Sequence, residues 1–342
     1  MTDQRQGLNL SNQTALVTGG GGFLGKAIVL QLLSAGCRVR CFSRNAYPEL
    51  TALGVEPVRG DLMDRAAVAK AAAGCDVVFH VAAKAGIWGS YDSYYRPNVI
   101  GTQHVIDACR QQRVRRLVHT SSPSVVFDGH DMEGVSESVP YASHFHAPYP
   151  ATKAAAEQAV LAANGPELAT TALRPHLIWG PGDNHLVPRI ISRAKRLRRI
   201  GRTNKLVDSV YIDNAAEAHV LAAARLDIGS RVAGRAYFIS NGEPRPIWDL
   251  VGCILAAAGL PPVTKSVPLG VARAASMLIE LTYRFFRAER EPPLTRFLVS
   301  ELSTAHWFDI IAARRDLDYQ PRVSIAEGLD RLRDWLSSRE GR

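Results

Sequence analysis

The sequence predicts an α/β protein: a doubly wound parallel sheet with a smaller region added towards the C-terminus. Three observations predict it. Short β-rich runs alternate with longer Ala/Leu-rich stretches of helical period through the first half of the chain. A run of glycines stands between the first such strand and the first such helix. Hydrophobic residues make up 46% of the 342 positions, ample for a large buried core.

Strands are expected at residues 15–17, 38–42, 55–59, 76–80 and 117–121, where β-branched and aromatic residues are bounded by turn-forming ones. A sixth is expected at 170–174, and a helix at 215–225 leads to a last strand at 236–239. The sheet therefore extends past residue 180. After Pro181 the pattern loosens into prolines, basic residues and amphipathic stretches, where substrate-specific structure would be added. Residues 1–184 and 206–242 are assigned to the nucleotide-binding part, and 185–205 with 243–342 to a substrate-binding region. The stretch 271–290 mixes Met277, Leu278, Ile279, Leu281, Tyr283, Phe285 and Phe286 with Arg273, Glu280, Arg284 and Arg287. Packing against the core is its first reading; a greasy substrate entrance or an interfacial helix is the alternative.

Forty-one Lys and Arg against 32 Asp and Glu leave a net charge of +9, which favours an anionic partner without choosing one. No nucleic-acid recognition motif accompanies the charge, so no nucleic-acid partner is expected. Cys37, Cys41, Cys75, Cys109 and Cys253 form neither a CxxC pair nor a metal-ligand spacing with histidine. Reduced thiols, no metal and a cytoplasmic setting follow as expectations. Residues 1–12 lack an apolar signal core, and no apolar run is long enough to cross a bilayer.

Thr18-Gly19-Gly20-Gly21-Gly22-Phe23-Leu24-Gly25 follows the first strand and opens a helix. Glycines there permit a tight turn and close backbone approach, and the helix N-terminus offers free N–H groups to a pyrophosphate. This is the Rossmann-type cofactor turn, with Gly19, Gly22, Phe23, Leu24 and Gly25 as its contacts. At the end of the second strand, where NAD users commonly place a carboxylate, stand Ser43 and Arg44. A guanidinium there suits the 2′-phosphate of NADP(H). Asp61 and Leu62 after the third strand are expected beside the adenine, and Ala82 and Ala83 after the fourth beside the ribose and nicotinamide.

Reduction of a carbonyl generates an alkoxide and needs an acid beside it. In Tyr149-Pro150-Ala151-Thr152-Lys153 the phenol and ammonium share one face at the start of a helix, and the positive charge is expected to lower the phenol pKa. Ser122, in Thr120-Ser121-Ser122-Pro123-Ser124 at the end of the fifth strand, can donate a hydrogen bond to the carbonyl oxygen. Ser121 and Ser124 have the plainer reading of a polar turn capping the strand.

The glycine turn, His80-Val81-Ala82-Ala83, Asn98 in Asn98-Val99-Ile100-Gly101-Thr102, the Thr-Ser-Ser strand end and Tyr-x-x-x-Lys occur in the order of the extended short-chain dehydrogenase/reductases. Leu173-Arg174-Pro175, Gly180-Pro181-Gly182, Val210-Tyr211-Ile212-Asp213-Asn214 and Trp307-Phe308-Asp309 carry the resemblance over roughly residues 14–336. The resemblance implies Tyr149 as acid or base, Ser122 as the positioner of the reacting oxygen, and Lys153 as the holder of ribose hydroxyls that also tunes Tyr149. Asn98 is implied as a supporting catalytic residue of the active-site helix and proton relay, with an ordinary helix cap as the alternative. It also implies a homodimer.

Within that family, Ala83-Lys84-Ala85-Gly86-Ile87-Trp88-Gly89-Ser90, the Tyr94–Thr102 stretch and Ser122-Pro123-Ser124-Val125-Val126-Phe127-Asp128-Gly129 closely resemble the 2-alkyl-3-oxoalkanoate reductases of bacterial long-chain olefin biosynthesis. The resemblance implies NADPH-dependent reduction of a long-chain β-keto acid, beside a thiolase-like condensing enzyme and a β-lactone-forming enzyme. Such a substrate carries one carboxylate and two alkyl tails, so Lys84 or Arg189 is expected near the carboxylate. The basic run from Arg189 to Lys205, with Arg193, Lys195, Arg196, Arg198, Arg199 and Arg202, can steer an anion, form a solvated face or dock another enzyme. A 3β-hydroxysteroid or sterol dehydrogenase is the alternative substrate reading, and a cofactor-binding sensor or scaffold the alternative of another class. Peripheral contact with a membrane is left open by the 271–290 stretch.

Overall fold

The computed structural model describes residues 10–201, 204–286, 288 and 290–340. Arg202, Arg287, most of the polar lead at 1–12 (residues 1–9) and the last two residues lie outside these. Seven strands form the main sheet: β1 (Thr14–Thr18), β2 (Arg38–Ser43), β3 (Glu56–Arg59), β4 (Val77–His80), β5 (Arg116–Thr120), β6 (Ala169–Pro175) and β7 (Arg235–Ile239). Every expected strand is present, displaced by no more than two residues at either end. They lie in the order β7-β6-β5-β4-β1-β2-β3, all parallel.

Helices cover both faces, so β4 and β6 are buried at every position, polar His80 and Arg174 included. Helix Phe23–Ser34 lays Ile28, Val29 and Leu32 into this core, and its Gln31 amide donates to the Asp213 carbonyl of helix Ile212–Arg225 at 2.8 Å. Because β1 lies between β2 and β4, the order of strand addition reverses there. The crevice outside the C-terminal ends of β1 and β4 is where such sheets bind ligands.

A second, four-stranded sheet joins distant parts of the chain. Its order is Arg245–Pro246, Leu206–Val207, His306–Phe308 and Met132–Val135. These pieces are two to four residues long, too short to show a period in the sequence. No helix among the described residues is long and apolar enough to cross a membrane.

The stretch 271–290 departs from its first reading. Helix Leu269–Phe285 buries Ala272, Ser276 and Glu280, whereas Met277, Leu278, Leu281 and Phe285 stand outside. Glu280 is retained on the buried side because Arg296 meets it twice: its backbone N–H donates at 2.7 Å and its guanidinium at 2.8 Å. Polar satisfaction, not apolarity, fixes which side of this helix faces inward.

Candidate active site

The site is built from strand ends. β1 runs into the glycine turn, where Gly19 has φ +69° and a Cβ there would stand 3.0 Å from the Cα of Ala82. A Cβ on Gly25 would meet the Gly19 carbonyl oxygen at 2.2 Å. The turn is therefore a backbone-to-backbone contact that admits no side chain. Gly22 caps helix Phe23–Ser34 with no side-chain hydrogen bond and no acidic residue in the first turn, which leaves the leading N–H groups for an anion. These features fit a dinucleotide pyrophosphate.

At the end of β2 the Arg44 side chain is exposed, and its carbonyl accepts from Arg59 Nε at 3.0 Å. Ser43 pairs in register with Arg59. Two guanidinium groups thus belong to one corner, and the second escaped the sequence reading because it lies on a different strand. Asp61 turns its carboxylate onto the Met63 N–H at 2.9 Å, and Leu62 is buried below it.

Beneath the strand ends runs a buried hydrogen-bonded chain. The Val81 and Ala82 N–H groups each donate to Thr18 Oγ1 at 3.2 Å. Thr18 Oγ1 lies 2.9 Å from His80 Nδ1, and His80 Nε2 lies 2.9 Å from Thr102 Oγ1, which donates to the Asn98 carbonyl at 2.5 Å. One arrangement satisfies every group: Thr18 donates to Nδ1 and a neutral His80 donates from Nε2. Burial, then the nearby Lys153 charge, lowers the His80 pKa to about 3 and holds the ring neutral.

Asn98 sits in a π-helical turn, Arg96–Ile100, and is 2% exposed. Its Oδ1 accepts from the Lys84 N–H at 2.7 Å, while its Nδ2 donates to the Lys84 carbonyl at 3.1 Å and to Thr152 Oγ1 at 3.1 Å. Asn98 is thus no helix cap; it clamps the Lys84 backbone to helix Pro148–Ala162.

That helix presents the Tyr-x-x-x-Lys pair. Lys153 is 2% exposed, donates to the Thr120 carbonyl at 2.6 Å and lies 3.2 Å from His119 Nε2. Burial lowers its pKa to about 8, and Glu157 one turn on opposes the fall. Glu157 is held in turn by a two-pronged Arg174 contact, with Nη2 at 2.6 Å, and by the Tyr141 hydroxyl at 2.8 Å. Ser122 Oγ accepts from the Ser124 N–H at 3.2 Å and lies 2.9 Å from Ser124 Oγ, so Ser122 itself caps the short turn after β5.

The expected lowering of the Tyr149 pKa is corrected. Burial raises it, a hydrogen bond with Ser122 partly offsets the rise, and Tyr94 adds to it. Desolvation of the phenol sets the direction, while the Lys153 ammonium bonds the Thr120 carbonyl and lies beside His119.

Lys84 borders Tyr94, a buried residue whose hydroxyl donates to the Trp88 carbonyl at 2.9 Å. Lys84 Nζ lies 4.7 Å from the Tyr94 ring centroid and donates to Ser93 Oγ at 2.9 Å. Arg189 pairs with Glu291 at 2.9 Å, and both charges reach Tyr94 electrostatically.

The chain matches the 3-beta hydroxysteroid dehydrogenase/isomerase family over residues 16–269, which takes in the glycine turn, Asn98, Ser122, Tyr149 and Lys153. It belongs to that family. As an extended short-chain dehydrogenase/reductase it is an oxidoreductase acting on a CH–OH or C=O group. A 2-alkyl-3-oxoalkanoate reductase of Stenotrophomonas maltophilia is 54% identical over 93% of this chain and 98% of its own length. One from Shewanella oneidensis is 51% identical over 93% of this chain and 85% of its own length. Among solved structures, MoeE5 in complex with UDP-glucose and NAD aligns with a TM-score of 0.74 and 25% identity, covering 96% of this chain and all of that one. A nicotinamide cofactor thus agrees with both the family and the glycine turn.

Proposed function

We propose that this member of the 3-beta hydroxysteroid dehydrogenase/isomerase family reduces the 3-keto group of a long-chain 2-alkyl-3-oxoalkanoic acid with NADPH, giving the 2-alkyl-3-hydroxyalkanoic acid of olefin biosynthesis. The observation that carries the reading is the 54% identity, across nearly the whole of both chains, to a 2-alkyl-3-oxoalkanoate reductase. Residues 1–184 and 206–242 hold the cofactor, and 185–205 with 243–342 enclose the substrate. The glycine turn, Ser43, Arg44, Asp61, Leu62, Ala82, Ala83, Tyr149 and Lys153 are the cofactor contacts. Bound NADPH supplies the hydride.

The chain's own residues supply the rest. Ser122 donates a hydrogen bond to the ketone oxygen and polarises it. Tyr149, whose pKa is raised, holds its proton at neutral pH and gives it to the oxygen as the C=O bond becomes C–O–H. Lys153 steadies the developing negative charge, and Asn98 fixes the Lys84 loop against the helix that carries both residues. A β-keto acid readily loses CO2 through a cyclic arrangement of ketone and acid, so reduction preserves the carboxylate for later steps. We place the enzyme in the cytoplasm as a homodimer, working beside a thiolase-like condensing enzyme and a β-lactone-forming enzyme.

Oxidation of a synthetic 2-alkyl-3-hydroxyalkanoic acid, followed as NADP reduction beside NAD and a 3β-hydroxysteroid, tests the reading. Turnover of the branched acid with NADP is expected; turnover of the steroid alone would return the substrate to the sterol reading that the family favours. Arg44→Ala should reduce the NADP-over-NAD preference in kcat/KM by at least ~10-fold through loss of a charge-assisted phosphate contact. An unchanged preference would remove Arg44 from 2′-phosphate recognition. For the carboxylate, Lys84→Met should raise KM by about 10-fold with little change in kcat, whereas Arg189→Met should act less because Glu291 already neutralises it. Equal KM values for both variants and the parent would place the carboxylate elsewhere.

A further inference from the structure

The exposed side of helix Leu269–Phe285 is apolar. Val271, Leu278, Leu281 and Phe285 are spaced by seven, three and four residues and so share one face, with Met277 beside them. These five are between 57% and 80% exposed, and Phe286 continues the patch at 72%. Scattered exposed leucines need no explanation, but a contiguous stripe of this size marks a surface that something covers.

Charge indicates what covers it. Arg273 and Arg284, eleven residues apart, border the stripe on the Met277 side, and both are exposed. The strand that leads into the helix, Ser266–Val267, pairs with Arg199–Ile200. That pairing brings Lys195, Arg196, Arg198 and Arg199 next to the helix start, while Arg193 is paired with Glu291 at 3.7 Å; the sequence has no Asp or Glu from 186 to 201 or from 250 to 279. An apolar face rimmed by cations, on a chain of net charge +9, is complementary to a bilayer with anionic headgroups. A second copy packed antiparallel fits less well, because that two-fold would set Arg273 of one copy against Arg284 of the other.

The other end of the helix reaches the active site. Tyr283 meets Trp88 edge to face at 6.0 Å, and Trp88 Nε1 donates to the Ala288 carbonyl at 2.9 Å. Trp88 belongs to the same loop as Lys84, which Asn98 clamps.

We propose that helix Leu269–Phe285 lies in the interface of an anionic membrane, with Val271, Met277, Leu278, Leu281 and Phe285 among the acyl chains and Arg273 and Arg284 at the headgroups. The enzyme is then peripheral, docked with the Trp88 loop facing the lipid, so that a two-tailed substrate passes between bilayer and site without crossing water. The docking itself does not depend on the proposed substrate.

Co-sedimentation of the whole protein with sucrose-loaded vesicles tests it without cofactor or substrate. Vesicles containing phosphatidylglycerol should retain the protein about 10-fold or more better than phosphatidylcholine alone, and added salt should weaken the difference. A variant combining Leu278→Ser, Leu281→Ser and Phe285→Ser should lose about 10-fold or more of that binding. Its melting temperature should stay unchanged, since all three positions are exposed. Arg273→Gln with Arg284→Gln should bring binding to anionic vesicles towards the neutral level. Retention in the supernatant with anionic vesicles, or binding undiminished in the serine variant, would overturn the proposal. So would a dimer that the serine variant dissociates in sedimentation velocity, which would assign the face to a second copy.

Discussion

Tyr149→Phe should cut kcat for reduction by about 10²–10⁴-fold while leaving NADPH binding, read by cofactor fluorescence, within a few-fold of the parent. The change removes one hydroxyl and leaves the half-buried ring in place, so the loss reports the missing proton donor. The raised phenol pKa has a signature of its own. Tyr149 stays protonated through the neutral range, and the group that titrates first is Lys153, at about 8. Reductive kcat/KM should therefore hold up to about pH 8 and fall above it, as the Lys153 ammonium that steadies the alkoxide is lost. A profile flat through pH 10, or a phenylalanine variant with more than about a tenth of the parent rate, would remove Tyr149 and Lys153 from these roles.

Glu157→Gln should cost about 3–5 kcal/mol of stability, read from urea unfolding, although it deletes no volume and lies outside the reaction centre. Glu157 is fully buried, Arg174 is 3% exposed, and the Arg174 guanidinium packs between the rings of Tyr141 and Phe238. Neutralising the carboxylate leaves a buried cation with no carboxylate in hydrogen-bond contact, Glu137 acting only at longer range. Arg174→Met added to Glu157→Gln should recover much of the loss, because two neutral groups replace one stranded charge. The single variant should also shift activity. Glu157 is the group that raises the Lys153 pKa, so its neutralisation should move the alkaline limb of the pH profile below 8. A variant as stable as the parent would mean that water reaches Arg174 and the pair is not sealed.

These two residues show where sequence reasoning stops. The seven strands, the glycine turn, Ser122, Tyr149 and Lys153 are legible because their signals are local: a period, a turn residue, a spacing of four. Lys153 and Glu157 also differ by four, yet Arg174 meets Glu157 across 17 residues and Thr18 meets His80 across 62. No short-range pattern encodes such contacts. The sign of the Tyr149 shift is beyond spacing for a related reason. Spacing puts a cation four residues from the phenol, but burial, which only the packed structure contains, sets the direction of the shift. Apolar content likewise predicts burial for the outward face of helix Leu269–Phe285, whereas the Glu280–Arg296 contact turns that face to solvent.

The second sheet has a consequence for how the enzyme is made. Its strand His306–Phe308 is inserted between Leu206–Val207 and Met132–Val135, so the nascent chain must reach residue 308 before those earlier pieces find their neighbour. The main sheet has all its strands once residue 239 has emerged. At ordinary synthesis rates the two events are separated by roughly 3–14 s, during which a nearly complete nucleotide fold carries an unclosed flank. Ribosome-stalled chains ending near residue 290 should therefore resist proteolysis through the main sheet yet be cut around 132–135, and that cleavage should cease once His306–Phe308 has left the exit tunnel.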